Sequence, residues 1–150
     1  MLEEYLKKRK FDQTPEPEPK VKKDLKKKIF VVQKHRARNL HYDFRLAAMG
    51  LLKSWAVPKG IPIRADDKNL AVQTEDHPLE YADFEGEIPK GQYGAGKIEI
   101  WDKGKFKIIS GSVEKGHLQF KLFGDKLKGI YNLIRFKKED KKKLWLIFKS

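Results

Sequence analysis

The chain has 150 residues, a formal charge of +13 from 34 lysines and arginines against 21 aspartates and glutamates, and no cysteine. That length supports one domain that buries about two-thirds of its unfolded surface without a covalent staple, and the lack of cysteine excludes a disulfide framework, a thiolate metal site and a thiol nucleophile, as fits a cytoplasmic protein. No apolar run approaches the roughly 20 residues that cross a bilayer, and the N-terminus has no apolar signal core, so no membrane association is expected.

Met1 to Phe11 puts Leu2, Tyr5, Leu6 and Arg9 on one side of a short helix, with acids early and bases late, as a helix dipole prefers. Asp12 to Pro19 (DQTPEPEP) forbids helix, since each proline lacks an amide donor and restricts its predecessor; it reads as an extended strap. Lys20 to Lys28 is nearly all lysine, a solvated linker that can touch phosphates. Residues 1–28 therefore form a helix, strap and basic linker ahead of a β region at 29–150, one domain overall.

From Ile29 onward, short β-branched and aromatic runs punctuated by glycine predict an all-β sandwich or barrel. Ile29, Val31, Gln33 and His35 share one face of a strand. The next strand alternates without a break: Leu40, Tyr42, Phe44 and Leu46 face a core, while His41, Asp43 and Arg45 line the opposite face. A hairpin through Arg36 to Asn39 brings His35 beside His41 and Asp43. Leu51–Pro58 and Leu70–Glu75 are further strands. His77 to Tyr81 begins a loop, because Pro78 cannot donate to a ladder, and the glycine-rich Phe84–Gly96 continues it as a long functional loop. Lys97–Trp101 and Lys105–Ile109 flank Asp102-Lys103-Gly104 as a hairpin, with Gly104 at positive φ. Leu118–Phe123 and Ile130–Phe136 flank a second turn, and Leu144–Phe148 follows the charged loop KKEDKKK. The expected fold is a small closed antiparallel barrel of about eight strands, since closure removes unpaired edges. Trp55, Trp101 and Trp145 are expected in its core, and His117 is structural.

The positive field attracts polyanions, nucleic acid first among them, although 37% charged residues also describe an ordinary solvated surface. His35, His41 and Asp43 offer imidazole and carboxylate ligands suited to Mn²⁺, Zn²⁺ or Fe²⁺, with open positions for water and substrate. A lone His-x-Asp is as readily a hydrogen-bonded surface pair; what favours a metal is His35 in phase across the hairpin. Arg45 continues that face with a donor fork that fits phosphate, or forms a salt bridge. Lys59 sits in a constrained turn. His77 can donate to a phosphate or protonate a leaving oxygen, and the Tyr81 hydroxyl can hold a water or phosphate oxygen, though each alone is as often structural. Glu16 in the strap is either an outer ligand over the metal or a solvated acid.

Three motifs in order, QKHRARNLHYDFRL, LKSWAVPKG and EDHPLEYADFEGEIPKGQYGAG followed by a strand and WDKG, resemble the 3′-phosphoesterase domain of DNA ligase D, known also in stand-alone archaeal and bacterial forms. The resemblance runs from about Phe11 to the C-terminus. It implies a manganese-dependent β-barrel enzyme, with Zn²⁺ or Co²⁺ able to use the same ligands. Its substrates would be DNA primer-template ends carrying a 3′-ribonucleotide or a 3′-phosphate: the terminal ribonucleoside is removed, then the phosphate, to leave a 3′-hydroxyl. By motif, His35, His41 and Asp43 would bind the metal. Arg45 and His77 would hold the scissile phosphate with Tyr81 beside them, Gln33 and Lys59 would support the pocket, and Glu16 would contribute from the strap. Asn69 stands where many relatives have arginine. An end-joining role would need separate ligase and polymerase partners. Two other functions remain open from the residues alone: a non-haem iron oxygenase using His41, Asp43 and His77, and a non-catalytic basic barrel that binds nucleic acid.

Overall fold

The computed structural model describes residues 2–19, 24–136 and 143–150. Among the described residues, helix α1 (Glu3–Lys7) precedes nine strands: β1 (Ile29–Arg36), β2 (Leu40–Ala48), β3 (Leu51–Val57), β4 (Lys68–Pro78), β5 (Gly86–Ile88), β6 (Gly96–Ser112), β7 (His117–Phe123), β8 (Lys128–Arg135) and β9 (Lys143–Lys149). Every pairing is antiparallel, in the order β1-β2-β3-β4-β9-β8-β7-β6. β6 then pairs back onto β1 and closes an eight-stranded barrel, with β5 added outside on β6. The all-β barrel expected from the alternating runs is thus the observed fold.

The barrel interior is aromatic. Phe44 of β2 stacks on Phe120 of β7 at 5.9 Å, and Trp55 of β3 meets Trp145 of β9 edge-on at 5.5 Å. Neither pair belongs to neighbouring strands, so these rings meet across the lumen. Trp101 is only partly buried and packs on Tyr42 under the Lys126 ammonium, outside the core expected for it.

The expected short N-terminal helix is present, five residues long, burying Tyr5 but leaving Leu6 exposed rather than on the buried side. Three local expectations are corrected. β4 continues through His77 to Pro78, which takes the last rung opposite Leu51, where a missing amide proton is tolerated. A 3-10 helix (Leu79–Asp83) follows, and the glycine-rich stretch contains β5. No hairpin forms at Asp102–Gly104: β6 runs straight through for 17 residues. Asp102 does not turn the chain there, because its carboxylate accepts the amides of Lys103, Asp125, Lys126 and Leu127 and so shapes the β7–β8 turn instead. Gly104 has no positive φ; a Cβ there would run into the Phe123 carbonyl.

Of the basic linker, Asp24 to Lys28 is exposed, while Lys20–Lys23, like residues 137–142 of the charged loop, lies outside the described residues.

Candidate metal centre and anion cavity

The register of β1 on β2 sets Gln33 opposite Asp43 and His35 opposite His41, with Arg45 beyond them opposite Val31. Directly opposed residues share a face, so alternation delivers these ionisable side chains to the outer wall of the barrel. They are not left in water. The N-terminal strap and the segment after β4 lie over them, enclosing a cavity of about 330 Å³ lined by residues that include Arg9, Glu16, His35, His41, Asp43, Arg45, Glu75, His77, Tyr81 and Tyr93.

Ligand atoms of His35, His41 and Asp43 lie within 4.8 Å of one another. His35 Nε2 is 2.8 Å from the Gly94 carbonyl and Nδ1 faces Asp43 Oδ2 at 3.4 Å; His41 Nδ1 is 3.2 Å from the Asn39 carbonyl and Nε2 faces Asp43 Oδ1 at 3.1 Å. A carbonyl only accepts, so each outer ring nitrogen carries a proton and each inner one faces the carboxylate. Three electron-rich groups then converge. One cation placed among them would satisfy all three, and outer nitrogens tied to backbone carbonyls are the usual support of metal-bound histidines. Burial opposes ionisation of Asp43, but hydrogen bonds to His35 and His41 and the Arg45 charge overcome it and hold the carboxyl well below the ordinary range. The hydrogen bond to Asp43 in turn raises the His41 pKa against the effect of burial.

Arg45 is 3% exposed and fixed on every side. Its Nε donates to Gln33 Oε1 at 2.7 Å, Nη2 lies 3.6 Å from Asp43, Nη1 is 3.2 Å from His77 Nδ1, and the Tyr81 ring lies 4.8 Å from the guanidinium carbon. Gln33 is fully buried and donates Nε2 to the carbonyls of Tyr81 and Phe84 at 2.7 and 3.1 Å. It supports Arg45 and the 3-10 helix and offers no atom to the cavity.

His77 packs between two guanidinium groups. Nδ1–H donates to the Glu75 carbonyl at 2.9 Å, and Nε2 accepts from Arg9 Nη2 at 3.4 Å. Burial first, then Arg45 and Arg9, push its pKa well below the usual imidazole value, so the ring is neutral. Tyr81 donates its hydroxyl to Glu16 Oε2 at 2.7 Å, and burial raises its pKa well above the phenol value. Glu16 also accepts from Arg9 Nε at 2.9 Å and Thr14 Oγ1 at 3.0 Å. It therefore ties the strap down and stands apart from the His-His-Asp cluster.

Lys59 is the sequence candidate that the fold leaves outside, exposed in the turn after β3 and absent from the cavity wall. Asn69 donates Nδ2 to the Gly60 carbonyl at 2.7 Å and pins that same turn. Arg9 and Glu75 were not singled out from the sequence. Arg9 did fall in phase with Leu2 and Tyr5, and a cation on the apolar side of a short helix was the signal available. Glu75 gave none, because its turn into the cavity follows from the β3–β4 irregularity between Leu52 and Ser54.

An antiparallel barrel whose outer wall carries a His-His-Asp cluster that could hold a metal ion, beside a buried guanidinium, sets the frame for comparison with known proteins. A family model described as the DNA ligase D 3′-phosphoesterase domain matches residues 33–135. Similar relatives include the multifunctional non-homologous end joining protein LigD of Pseudomonas aeruginosa, 51% identical over 154 residues covering 99% of this chain and 18% of that protein. The LigD proteins of Mycobacterium tuberculosis (47% over 137 residues; 89% of this chain, 18% of theirs) and Mycolicibacterium smegmatis (44% over 146; 91% and 19%) are also similar. The chain belongs to the DNA ligase D 3′-phosphoesterase family. It spans about a fifth of the length of these relatives.

Proposed function

We propose that this protein is a metal-dependent 3′-end-healing phosphoesterase. It removes a 3′-terminal ribonucleoside from a DNA primer end and then the 3′-phosphate, leaving a 3′-hydroxyl for repair or end joining in the cytoplasm by separate ligase and polymerase proteins. The observation that carries this reading is the pair of imidazoles locked through their outer nitrogens to backbone carbonyls, with their inner nitrogens on one carboxylate next to a buried guanidinium.

His35, His41 and Asp43 would hold the ion, Mn²⁺ in the family reading, with Zn²⁺ or Co²⁺ compatible with the same donors. When bound, the ion supplies Lewis-acid stabilisation of a phosphate oxygen and activation of water. The cavity wall carries the guanidiniums of Arg9 and Arg45 against the carboxylates of Glu16, Asp43 and Glu75. A divalent ion reverses that sign and makes the site attractive to a phosphate anion.

Arg45 then meets the scissile phosphate. Its Nε is already committed to Gln33, which leaves the terminal nitrogens to face developing charge on the equatorial oxygens, with no reorganisation at the moment of reaction. Neutral His77 keeps Arg45 and Arg9 apart and shields them from each other. Tyr81 remains a phenol and backs Arg45 with its ring. N-terminal segment and barrel act as one catalytic unit, since Arg9 and Glu16 come from the first and the remaining groups from the second. The oxygenase alternative is less well supported: His77 lies between two guanidiniums, which repel a cation, whereas His35 is the residue that clusters with His41 and Asp43.

The test is a primer-template ending in one ribonucleotide, and separately one ending in a 3′-phosphate, incubated with Mn²⁺ or EDTA. Both ends are converted to a 3′-hydroxyl in Mn²⁺ and neither in EDTA, and His41→Ala is inactive. The same Mn²⁺ raises the melting temperature of the parent but not of His35→Ala, His41→Ala or Asp43→Ala, by the equivalent of about 2.7 kcal/mol at a hundredfold excess over Kd. A His41→Ala protein as active as the parent refutes the proposal.

A further inference from the structure

Tyr93 stands on the rim of the cavity with 49% of its surface exposed, in the loop between β5 and β6. Its hydroxyl accepts from Lys8 Nζ at 3.2 Å, and the cations of Lys8 and Arg9 lie 4.4 and 5.1 Å from the ring centroid. The next residue, Gly94, has φ +78 and gives its carbonyl to His35 Nε2 at 2.8 Å. A half-open aromatic ring is thus held one residue away from the group that orients a metal ligand. Of the two tyrosines on this wall, Tyr81 is buried and Tyr93 is half-exposed.

We infer that Tyr93 forms a base-stacking subsite for the nucleoside that leaves from the 3′ end. The inference rests on reading the cavity as a 3′-phosphoesterase site. A phosphate held at Arg45 fills the polar floor, and the nucleoside beyond the scissile bond projects toward the rim, where an aromatic face accepts any base. A 3′-phosphate end carries no nucleoside beyond its phosphate, so it places no base on the ring; there the bond that breaks is the one to the primer 3′-oxygen. Tyr93 is therefore a positioning residue that favours the ribonucleoside-removing step over the phosphate-removing step.

Steady-state kinetics of the full chain with Mn²⁺ on the two primer ends test this. In Tyr93→Ala the KM for the ribonucleotide end rises about tenfold or more relative to the KM for the phosphate end, while Tyr93→Phe and Tyr93→Trp restore the parent ratio. A primer ending in an abasic ribose imposes the same loss on the parent and no further loss on Tyr93→Ala. Equal weakening of both ends, a Phe variant that follows Ala, or an abasic end that the parent handles like a normal one overturns the inference. A parent protein inactive on both ends removes instead the reading on which the inference depends.

Discussion

Gln33→Leu is the substitution whose cost can be worked most directly from the structure. Gln33 is fully buried, and its amide spans two carbonyls, Tyr81 and Phe84, on one side and Arg45 Nε on the other. Leucine keeps the bulk and removes all three bonds. Each partner stranded in a dry interior costs about 1–3 kcal/mol, and a charged donor sits at the upper end, so the loss is at least about 5 kcal/mol. For a chain of this size that lowers the melting temperature by at least about 10 °C, read by calorimetry or urea unfolding. Gln33→Glu separates the two halves of the role. It keeps an acceptor for Arg45 but sets a carboxylate oxygen against two carbonyls, so the 3-10 helix loses its anchor while Arg45 keeps its orientation. Gln33→Leu therefore lowers kcat more than Gln33→Glu when both are measured well below their melting temperatures. A loss below about 1 kcal/mol for leucine, or equal kcat for the two variants, refutes the account.

Three further outcomes rest on single residues of the same structure. His77 is held neutral in the folded protein but titrates near pH 6.5 when unfolded, so protons favour the unfolded chain: the stability it contributes is full above about pH 6.5 and declines at up to about 1.4 kcal/mol per pH unit below it. Unfolding free energies between pH 5 and 7 show that slope in the parent and a shallower one in His77→Gln. Asp102→Ala strands backbone amides of the β7–β8 turn and destabilises by about 3 kcal/mol without altering KM in the folded protein, by urea unfolding and kinetics. Gly104→Ala forces β6 away from the Phe123 carbonyl and costs about 2–4 kcal/mol; a near-neutral alanine there shows that the strands separate freely.

Much of the site was legible because a strand has a period of two. Once Leu40, Tyr42, Phe44 and Leu46 were assigned inward, His41, Asp43 and Arg45 had to share the opposite face, and a three-residue turn between Arg36 and Leu40 fixed His35 opposite His41. The errors arose where one residue type serves two geometries. Asp-Lys-Gly marks a tight turn in most contexts, yet here the aspartate is consumed by a neighbouring turn and the glycine by a close strand contact. Proline at position 78 was read as a break, although a strand's final rung tolerates it.

The sequence by itself determined the barrel, the inward aromatic set and the row of ionisable groups His41, Asp43 and Arg45 with His35 beside it, since periodicity and hairpin spacing are local. Only the tertiary structure decided that this row is covered rather than exposed, that Arg9, Glu16 and Glu75 join it from far along the chain, and that Lys59 stays outside. Those outcomes depend on how the strap lies over the barrel and on one irregular rung between β3 and β4. Packing of distant segments sets the field in which each group ionises. A strand pattern can therefore name His77 as a candidate, but only its burial between two guanidiniums makes it a neutral ring.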